Sequence, residues 1–256
     1  MRRALLPLLI LGCVATAAAL AWFTLNYARM PKAPGPSTTT TLQTRSVAPF
    51  HRIEVGGVAD VTLVQGDAES VEMSVPSGGS GVDAVVHNGS LVVAGRDRPR
   101  TWFGFFGSGS KEPAAHITVR FRTLDAIALS GAVKLDAGAM RARTLEIAAS
   151  GGSSLRIAQL DADRLRVAGS GALDAKIAGR VVDETVAISG AGSYRAADLH
   201  ADHASVDVSG VGSVVVYADK TLRATISGAG SIEYLGDPQV SQRVSGIGSV
   251  RRRPSP

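Results

Sequence analysis

The sequence predicts an all-β protein: a single-stranded parallel β-helix, or β-solenoid, with about 18–20 residues per coil and an N-terminal hydrophobic helix in front of it. Three observations lead to this prediction. A Ser-Gly pair recurs seven times at a nearly constant spacing, apolar residues recur at fixed distances from each pair, and no long helical periodicity follows residue 30. Repeated units of this kind are typical of architectures in which each unit buries its apolar face against its neighbours.

Residues 1–30 form the predicted helix and direct the protein to a membrane. Arg2 and Arg3 precede an uncharged run from Ala4 to Ala28, which is long enough to cross a bilayer. The positive flank favours a cytoplasmic N-terminus and an exported body. We therefore expect an uncleaved anchor in the bacterial inner membrane with the body in the periplasm, or export to the cell surface.

Two other fates of this segment stay open. The small residues Ala19 to Ala21 offer a site to a signal peptidase, which would release the body. The stretch Ile10 to Cys13 resembles a lipobox, which would make Cys13 a lipid attachment site. Cys13 is the single cysteine of the chain, so packing and hydrogen bonds hold the exported body together without a disulfide.

The rest of the chain divides into three predicted regions. Residues 31–49 are rich in Pro and Thr and form a linker. Residues 50–250 form the solenoid domain, and residues 251–256 form a basic tail.

The solenoid domain opens with short strands. Residues 50–67 alternate apolar and polar side chains and stop at Gly66-Asp67, and residues 116–121 alternate in the same way. Asn88-Gly89 between two apolar runs is a strong hairpin signal. Asn88 also begins a glycosylation sequon, but we interpret it as the turn.

The repeat occupies the second half of the domain. Its serines are spaced by 20, 20, 19, 20, 18 and 18 residues. The predicted structural repeat turns are Ser130-Gly131, Ser150-Gly151, Ser170-Gly171, Ser189-Gly190, Ser209-Gly210, Ser227-Gly228 and Ser245-Gly246. A period of this length suits three short strands and three turns, with neighbouring coils paired in parallel and crossing over in the right-handed sense.

The positions around each serine form columns. Two residues after the serine the side chain is small or apolar, four after it is polar, and five after it is nearly always apolar. We expect the apolar columns to stack inside the solenoid and the Ser-Gly columns to stack at one corner. The glycine after each serine indicates a backbone with positive φ, notably at Gly190, Gly210 and Gly228.

The Ser-Gly motif is structural rather than a phosphate-binding loop. It recurs seven times before strand-like runs, and no lysine follows it at P-loop spacing. Calcium-binding solenoids carry Asp where this chain has Tyr194, Val214, Ile232 or Val250. His200 and His203 would need a third zinc ligand from another coil, so a strand-and-turn segment is favoured. No cofactor and no metal are predicted.

One insertion stands out between two strands. Residues 101–113 hold four of the twelve aromatic residues: Trp102, Phe103, Phe105 and Phe106. We interpret this segment as a cap packed on the solenoid, with an exposed loop that contacts a membrane or a partner as the alternative.

The charge distribution excludes nucleic acid as a partner. The formal net charge is +5, but Arg2, Arg3 and Arg29 and the tail residues Arg251, Arg252 and Arg253 supply the excess. The body between them has 21 basic and 22 acidic residues, whereas nucleic-acid binders carry positive charge on the folded surface. The tail arginines are better explained as protecting the open last edge of the solenoid than as binding an anionic surface.

The ordered motifs resemble one known family. "FHRIEVGGVADVTLVQGD", "NGSLVV", "HITVRFRTLDAIALSGAV" and the repeated "SGxGS" are similar to the bacterial head GIN domain, whose members are called auto-transporter adhesins. The resemblance covers about residues 50–250 and implies an exported β-helix-like domain, with no catalytic residues to carry over.

The resulting hypothesis is a membrane-tethered, non-catalytic binding or structural module of the bacterial envelope, whose partner is an envelope protein or a polysaccharide. The alternative is a β-helix enzyme that acts on polysaccharide. It would need several carboxylates and an Arg or Lys on one face of consecutive coils, for which Asp161, Asp163, Asp198 and Asp202 are the candidate carboxylates.

Overall fold

A computed structural model of the chain describes residues 40–76, 82–95 and 115–254. All regular elements in these ranges are β-strands, and the predicted N-terminal helix lies outside them. The strands are β1 (Thr40–Ser46), β2 (Arg52–Gln65), β3 (Ser70–Pro76), β4 (Val82–His87), β5 (Ser90–Gly95), β6 (Ala115–Phe121), β7 (Ala126–Gly169), β8 (Ala172–Ile188), β9 (Ala191–Val208), β10 (Val211–Ile226), β11 (Ala229–Leu235), β12 (Gln239–Val244) and β13 (Ile247–Arg252). Within these ranges no helix is long and apolar enough to cross a membrane.

The strands wind into a β-solenoid, as predicted. Seven strands pair in parallel, each with the next turn of the chain, in the order β2-β7-β8-β9-β10-β11-β13. The short strand β12 also pairs in parallel, with β10. The register steps by 20, 19 or 18 residues, for example from Ala191 to Val211 and from Val211 to Ala229. About five regular turns lie between Gly131 and Gly228.

The strands of the solenoid are longer than predicted. β7 spans 44 residues and runs through the repeat turns at Gly131 and Gly151 without a break in strand structure. The chain therefore bends at these corners while its backbone stays paired with neighbouring turns. Other bends fall at register shifts, such as the one between Lys176 and Gly179. Such β-bulges turn a strand while keeping most of its ladder.

The N-terminal part of the fold caps the solenoid. β2 pairs in parallel with β7 on one side and with both β5 and β6 on the other. β3 then pairs antiparallel with β6, and β1 pairs antiparallel with β3 at the edge. The antiparallel strands end the parallel stacking in this direction.

The predicted hairpin at Asn88-Gly89 is confirmed. β4 and β5 pair antiparallel with His87 opposite Ser90, which leaves two residues in the turn. Asn88 and Gly89 have φ values of 50° and 73°, as a type I′ turn requires. The Gly89 carbonyl also accepts the His51 backbone N–H at 3.0 Å, which ties the turn to the start of β2.

One hydrophobic core fills the solenoid, built mainly from Val, Ile, Leu and Ala. The column five positions after each serine lies inside as predicted, since Leu135, Leu155 and Ile232 are buried. The column two positions after the serine does not: Val211 and Ile247 are 64% and 86% exposed. Side chains alternate along a strand, so burial at the fifth position places the second and fourth positions outside.

Side chains before and after each corner share one interior space. In one rung Gly169 precedes the corner and Leu173 follows it, and a Cβ on Gly169 would lie 2.8 Å from Leu173 Cδ2. In the next rung the sizes are reversed: Ile188 precedes the corner, and a Cβ on Gly192 would lie 3.3 Å from Ile188 Cγ2. The second glycine of "SGxGS" therefore makes room for a large residue. At Gly192 this residue is Ile188, four positions earlier. At Gly230 and Gly248 it is a residue of the preceding rung, Val208 and Ile226 respectively.

Candidate functional site

The repeat turns stack into a ladder of glycines at one corner of the solenoid. At every ladder glycine after the first, a Cβ would overlap the carbonyl oxygen of the glycine on the preceding rung, so no other residue fits. The ladder consists of Gly57, Gly131, Gly151, Gly171, Gly190, Gly210, Gly228 and Gly246. We call this the glycine ladder.

The physical reason for the glycines differs from the predicted one. Gly131 and Gly151 have positive φ, at 100° and 91°, but Gly190, Gly210 and Gly228 do not. The prediction of left-handed backbone at these three positions is wrong. Close approach of consecutive rungs, rather than a φ that only glycine tolerates, excludes side chains there.

The first ladder glycine was missed by sequence reasoning. Gly57 in β2 lies opposite Gly131 in β7, and Gly56 lies opposite Ser130. Residues 52–65 are therefore a rung of the solenoid, although Gly56 stands in the place of the serine and β3 to β6 interrupt the spacing. The signal in the sequence was the "EVGGVADV" stretch, which matches the repeat in every apolar position.

The repeat serines hold neighbouring rungs together. Ser189 donates to the Gly169 carbonyl through both its backbone N–H, at 2.9 Å, and its hydroxyl, at 3.3 Å. Hydroxyl bonds of the same type, 3.3–3.5 Å long, run from Ser130, Ser150, Ser170 and Ser245 to the preceding rung. These serines consequently serve the fold.

An open groove runs along one side of the ladder. It has a volume of about 520 Å³. Its floor is formed by outward-facing alanines of consecutive rungs, Ala128, Ala148, Ala168 and Ala187, and its wall by the serines of the ladder. We call it the alanine groove. Small apolar side chains, serines and backbone make up most of its lining, and Glu54 is the charged residue among the described lining residues, so it can bind by shape and apolar contact but offers little for acid–base chemistry.

A second groove, of about 590 Å³, lies on the other side of the ladder and is more polar. Asp60, Lys134, Asp174 and Ser193 are among its lining residues. Asp174 forms an ion pair with Arg195 of the next rung, and Lys134 pairs with Asp136 at 3.5 Å. Its charges therefore largely compensate each other.

The aromatic segment with Trp102, Phe103, Phe105 and Phe106 lies outside the described residues. Its flanking strands are described. Ala94 of β5 lies opposite Gly56, and Ala115 of β6 lies opposite Ala59. The chain thus leaves and re-enters the sheet at the N-terminal end of the glycine ladder, and Ala94 is part of the alanine groove.

The histidines of the "HADH" stretch have separate neighbours. The His200 ring packs on Tyr217 with centroids 4.1 Å apart, whereas His203 Nδ1 lies 2.8 Å from Thr221 Oγ1. Among the described residues no group of three His, Cys, Asp or Glu side chains is arranged to hold a metal ion. The hydrogen bond from Lys220 lowers the pKa of Asp202, which lies between the two histidines.

Two candidate carboxylates of the enzyme alternative, Asp161 and Asp202, have basic partners. Asp161 lies opposite Arg180 on the next rung and pairs with Arg141 at 3.6 Å. Asp202 pairs with Lys220 at 2.7 Å. Asp161 and Asp202 thus each lie beside a basic residue rather than beside a second candidate carboxylate.

The tail continues the last strand. Arg251 and Arg252 belong to β13 and lie opposite Glu233 and Tyr234 of β11. Arg252 forms an ion pair with Asp237 at 3.3 Å, and Arg253 one with Glu233 at 3.7 Å. The tail arginines therefore carry charge onto the outer edge of the final rung, as an edge-protecting role requires.

The structure also reveals a buried acid that sequence reasoning missed. Glu184 is 1% exposed, and its Oε1 accepts a 2.6 Å hydrogen bond from the hydroxyl of buried Tyr194. Burial raises the pKa of Glu184 to about 7, against the opposing effect of the Tyr194 bond. An alignment of the repeats could have found Glu184, because the residue five positions before the serine is apolar in four other repeats: Leu145, Leu165, Ala204 and Leu222.

Comparison with known proteins agrees with this architecture. A "putative adhesin" of Bacteroides fragilis aligns with 85% of this chain and 99% of its own, at 21% identity and a TM-score of 0.73. A "putative adhesin" of Parabacteroides distasonis aligns with 85% and 98%, at 24% identity and 0.64. A "putative lipid binding protein" of the same species aligns with 86% and 98%, at 19% identity and 0.65. These likenesses show a shared fold.

Comparison with curated proteins gives no match. The family model described as "Putative auto-transporter adhesin, head GIN domain" matches residues 49–238, from just before β2 to the start of the last rung. The match spans β2 to β11, the glycine ladder from Gly57 to Gly228 and both grooves, and the chain therefore belongs to the head GIN domain family.

Proposed function

We propose that this protein is a non-catalytic, adhesin-like binding module of the bacterial envelope, tethered by residues 1–30 and held away from the membrane by the linker. Membership of the head GIN family supports an adhesin-like role at an exported location. The uncharged run from Ala4 to Ala28 and its arginine flank support an inner-membrane anchor with the body in the periplasm or at the surface.

The observation that carries the binding role is the alanine groove. It crosses four consecutive rungs, and the ladder beside it fixes the spacing of those rungs. A preformed groove loses little conformational entropy when a ligand binds. Its length and open side suit an extended chain, supplied by an envelope protein or a polysaccharide.

The aromatic segment is the second part of the proposal. Trp102 and its three Phe neighbours act as a cap on the first rungs, with a contact loop as the alternative. Large rings dominate interfaces because each can bury about 150–250 Å². Ala94, at the described N-terminal end of this segment, lines the alanine groove, so either role would influence what the groove admits.

A capture experiment tests the groove. Full-length protein is incubated with envelope extract, cross-linked and recovered, in parallel with Ala148→Arg/Ala168→Arg. Both alanines face outward, so long charged side chains fill the groove and leave the core intact. Ala158→Arg is the matched control, since Ala158 is equally exposed but does not line the groove.

We expect the double variant to lose the captured material and the control to retain it. Protease treatment of the extract distinguishes a protein partner, whose capture disappears, from a polysaccharide, whose capture persists. Equal capture by all three proteins would refute the groove as the binding site.

A further inference from the structure

Glu184 occupies a position built for an apolar side chain. In the parallel register it lies opposite Leu165 of β7 on one side and Ala204 of β9 on the other, and Ala204 lies opposite Leu222 of β10. The neighbours of the pair are small: Ala175 lies opposite Tyr194, and Ala204 opposite Glu184. These alanines provide the volume that the phenol ring and the carboxyl fill.

The carboxyl has a single hydrogen-bonding partner. Oε1 accepts from Tyr194 at 2.6 Å, and Oε2 has no partner among the described residues. Both side chains are fully shielded from solvent. A buried carboxylate normally needs two or more donors or a cation, and one phenol does not meet that requirement.

No cation approaches the pair from any element packed around it. On β8 itself, Asp183 points outward and pairs with Arg164 of β7 at 3.6 Å. On β9, His203 is exposed and contacts Thr221 of β10. Tyr194 is the titratable group that faces the carboxyl, and none of the ion pairs among the described residues includes Glu184.

We propose that Glu184 and Tyr194 form a pH-sensitive lock inside the solenoid, in which the neutral carboxyl keeps β8 and β9 packed and its ionisation loosens these strands. Burial keeps Tyr194 protonated, because it raises the pKa of the phenol well above its usual value. Tyr194 therefore remains a donor throughout. This inference is independent of the proposed binding function.

The sign of the effect follows from proton linkage. The folded protein holds the Glu184 proton up to a pH of about 7, whereas the unfolded chain releases it near the ordinary pKa of 4.5. The contribution of Glu184 to the free energy of unfolding has its full value below pH 4.5. It decreases as the pH rises from 4.5 to 7 and stays at its lower level above pH 7.

The test compares full-length protein with Glu184→Gln, which keeps the shape and cannot ionise. Denaturant-induced unfolding at pH 5 and pH 8 gives the two equilibrium constants for each protein. From pH 5 to pH 8, we expect the ratio of folded to unfolded wild-type protein to decrease by about 100-fold more than the same ratio for the variant. The reason is that the pKa of Glu184 differs by more than two pH units between the folded and the unfolded chain. Hydrogen exchange should place the change in β8 and β9, with β11 as the internal reference.

Two further measurements keep the proposal testable if Glu184→Gln fails to fold. Glu184→Leu restores the residue type of Leu165 and should also abolish the extra pH dependence. The carboxyl ¹³C resonance of Glu184 in the wild type should titrate near pH 7. A carboxyl that titrates below pH 5, or identical pH dependence in the wild type and its folded variants, would overturn the lock.

Discussion

Gly57 lies against Gly131 in the same contact that joins Gly210 to Gly228, although four whole strands, β3 to β6, separate the first two glycines in sequence and only β10 separates the second two. The ladder is therefore continuous across the insertion of β3 to β6. Closing this contact brings together distant parts of the chain, which costs more loop-closure entropy than adding a regular rung. We infer that the regular rungs form before β2 docks on them.

The ladder predicts that even the smallest side chain is destabilising at Gly210. A Cβ there would overlap the Gly190 carbonyl oxygen, so Gly210→Ala must push two rungs apart, and Gly210→Val more so. We expect a loss of about 3 kcal/mol or more in the free energy of unfolding, at the upper end of overpacking effects. Thermal unfolding of the full chain measures it.

Gly138→Ala is the matched control for Gly210. A Cβ at Gly138 meets nothing within 4 Å, and its φ is not positive. We expect this variant to melt within a degree or two of the wild type or slightly above it, as exposed glycine replacements without strain do. Equal melting temperatures for Gly210→Ala and Gly138→Ala would contradict the close contact between rungs.

A second prediction concerns the interior space shared across a corner. Gly192→Leu should destabilise by about 1–3 kcal/mol, because its side chain enters the volume of Ile188. Ile188→Ala alone should cost about 2–5 kcal/mol through the cavity that it leaves. The double variant imitates the neighbouring rung, where Gly169 precedes Leu173, and should be more stable than the sum of the two losses. Additive losses would show that the two positions do not share one space.

The aromatic segment gives a third prediction. Replacing Trp102, Phe103, Phe105 and Phe106 with Ser separates a cap from a contact loop. We expect a cap, so the variant should lose several kcal/mol of stability, since each buried ring contributes about 1.5–3 kcal/mol. Denaturant unfolding and envelope capture are measured on the same preparations. A variant of normal stability that no longer binds would assign the segment to a contact instead.

The anchor is tested by fractionation of cells. If residues 1–30 remain as a membrane helix, the full-length protein stays in the membrane pellet after a carbonate wash, and its N-terminus is at or near Met1. A soluble product that starts just after Ala21 would indicate a cleaved signal peptide. Lipid on Cys13 would indicate a lipoprotein.

Much of the fold could be predicted from sequence because each repeat shows the same pattern of apolar and polar positions, so that all repeats indicate the same structure. The buried fifth column, the parallel pairing and the Asn88-Gly89 turn all follow from local patterns. The exposed second column was misplaced because Val211 and Ile247 were assigned by hydrophobicity, whereas strand alternation decides the face.

The site was less accessible to sequence reasoning. The glycines were recognised, but the reason for them depends on the distance between rungs, which no single repeat reveals. Glu184 was missed because its burial is set by residues of two other strands, Leu165 of β7 and Tyr194 and Ala204 of β9. The alanine groove likewise exists only after four separate stretches of sequence are stacked.

The glycine ladder has a consequence for how such a protein changes size. Consecutive rungs pair through the same parallel register and the same glycine contact, so duplication of one 18–20-residue unit inserts a turn that pairs with both neighbours. Each duplication lengthens the alanine groove by one strand spacing, about 4.8 Å. The length of the alanine groove can therefore change in fixed steps when a repeat unit is duplicated in the gene. Substitution of a ladder glycine, by contrast, is opposed by the close contact between rungs.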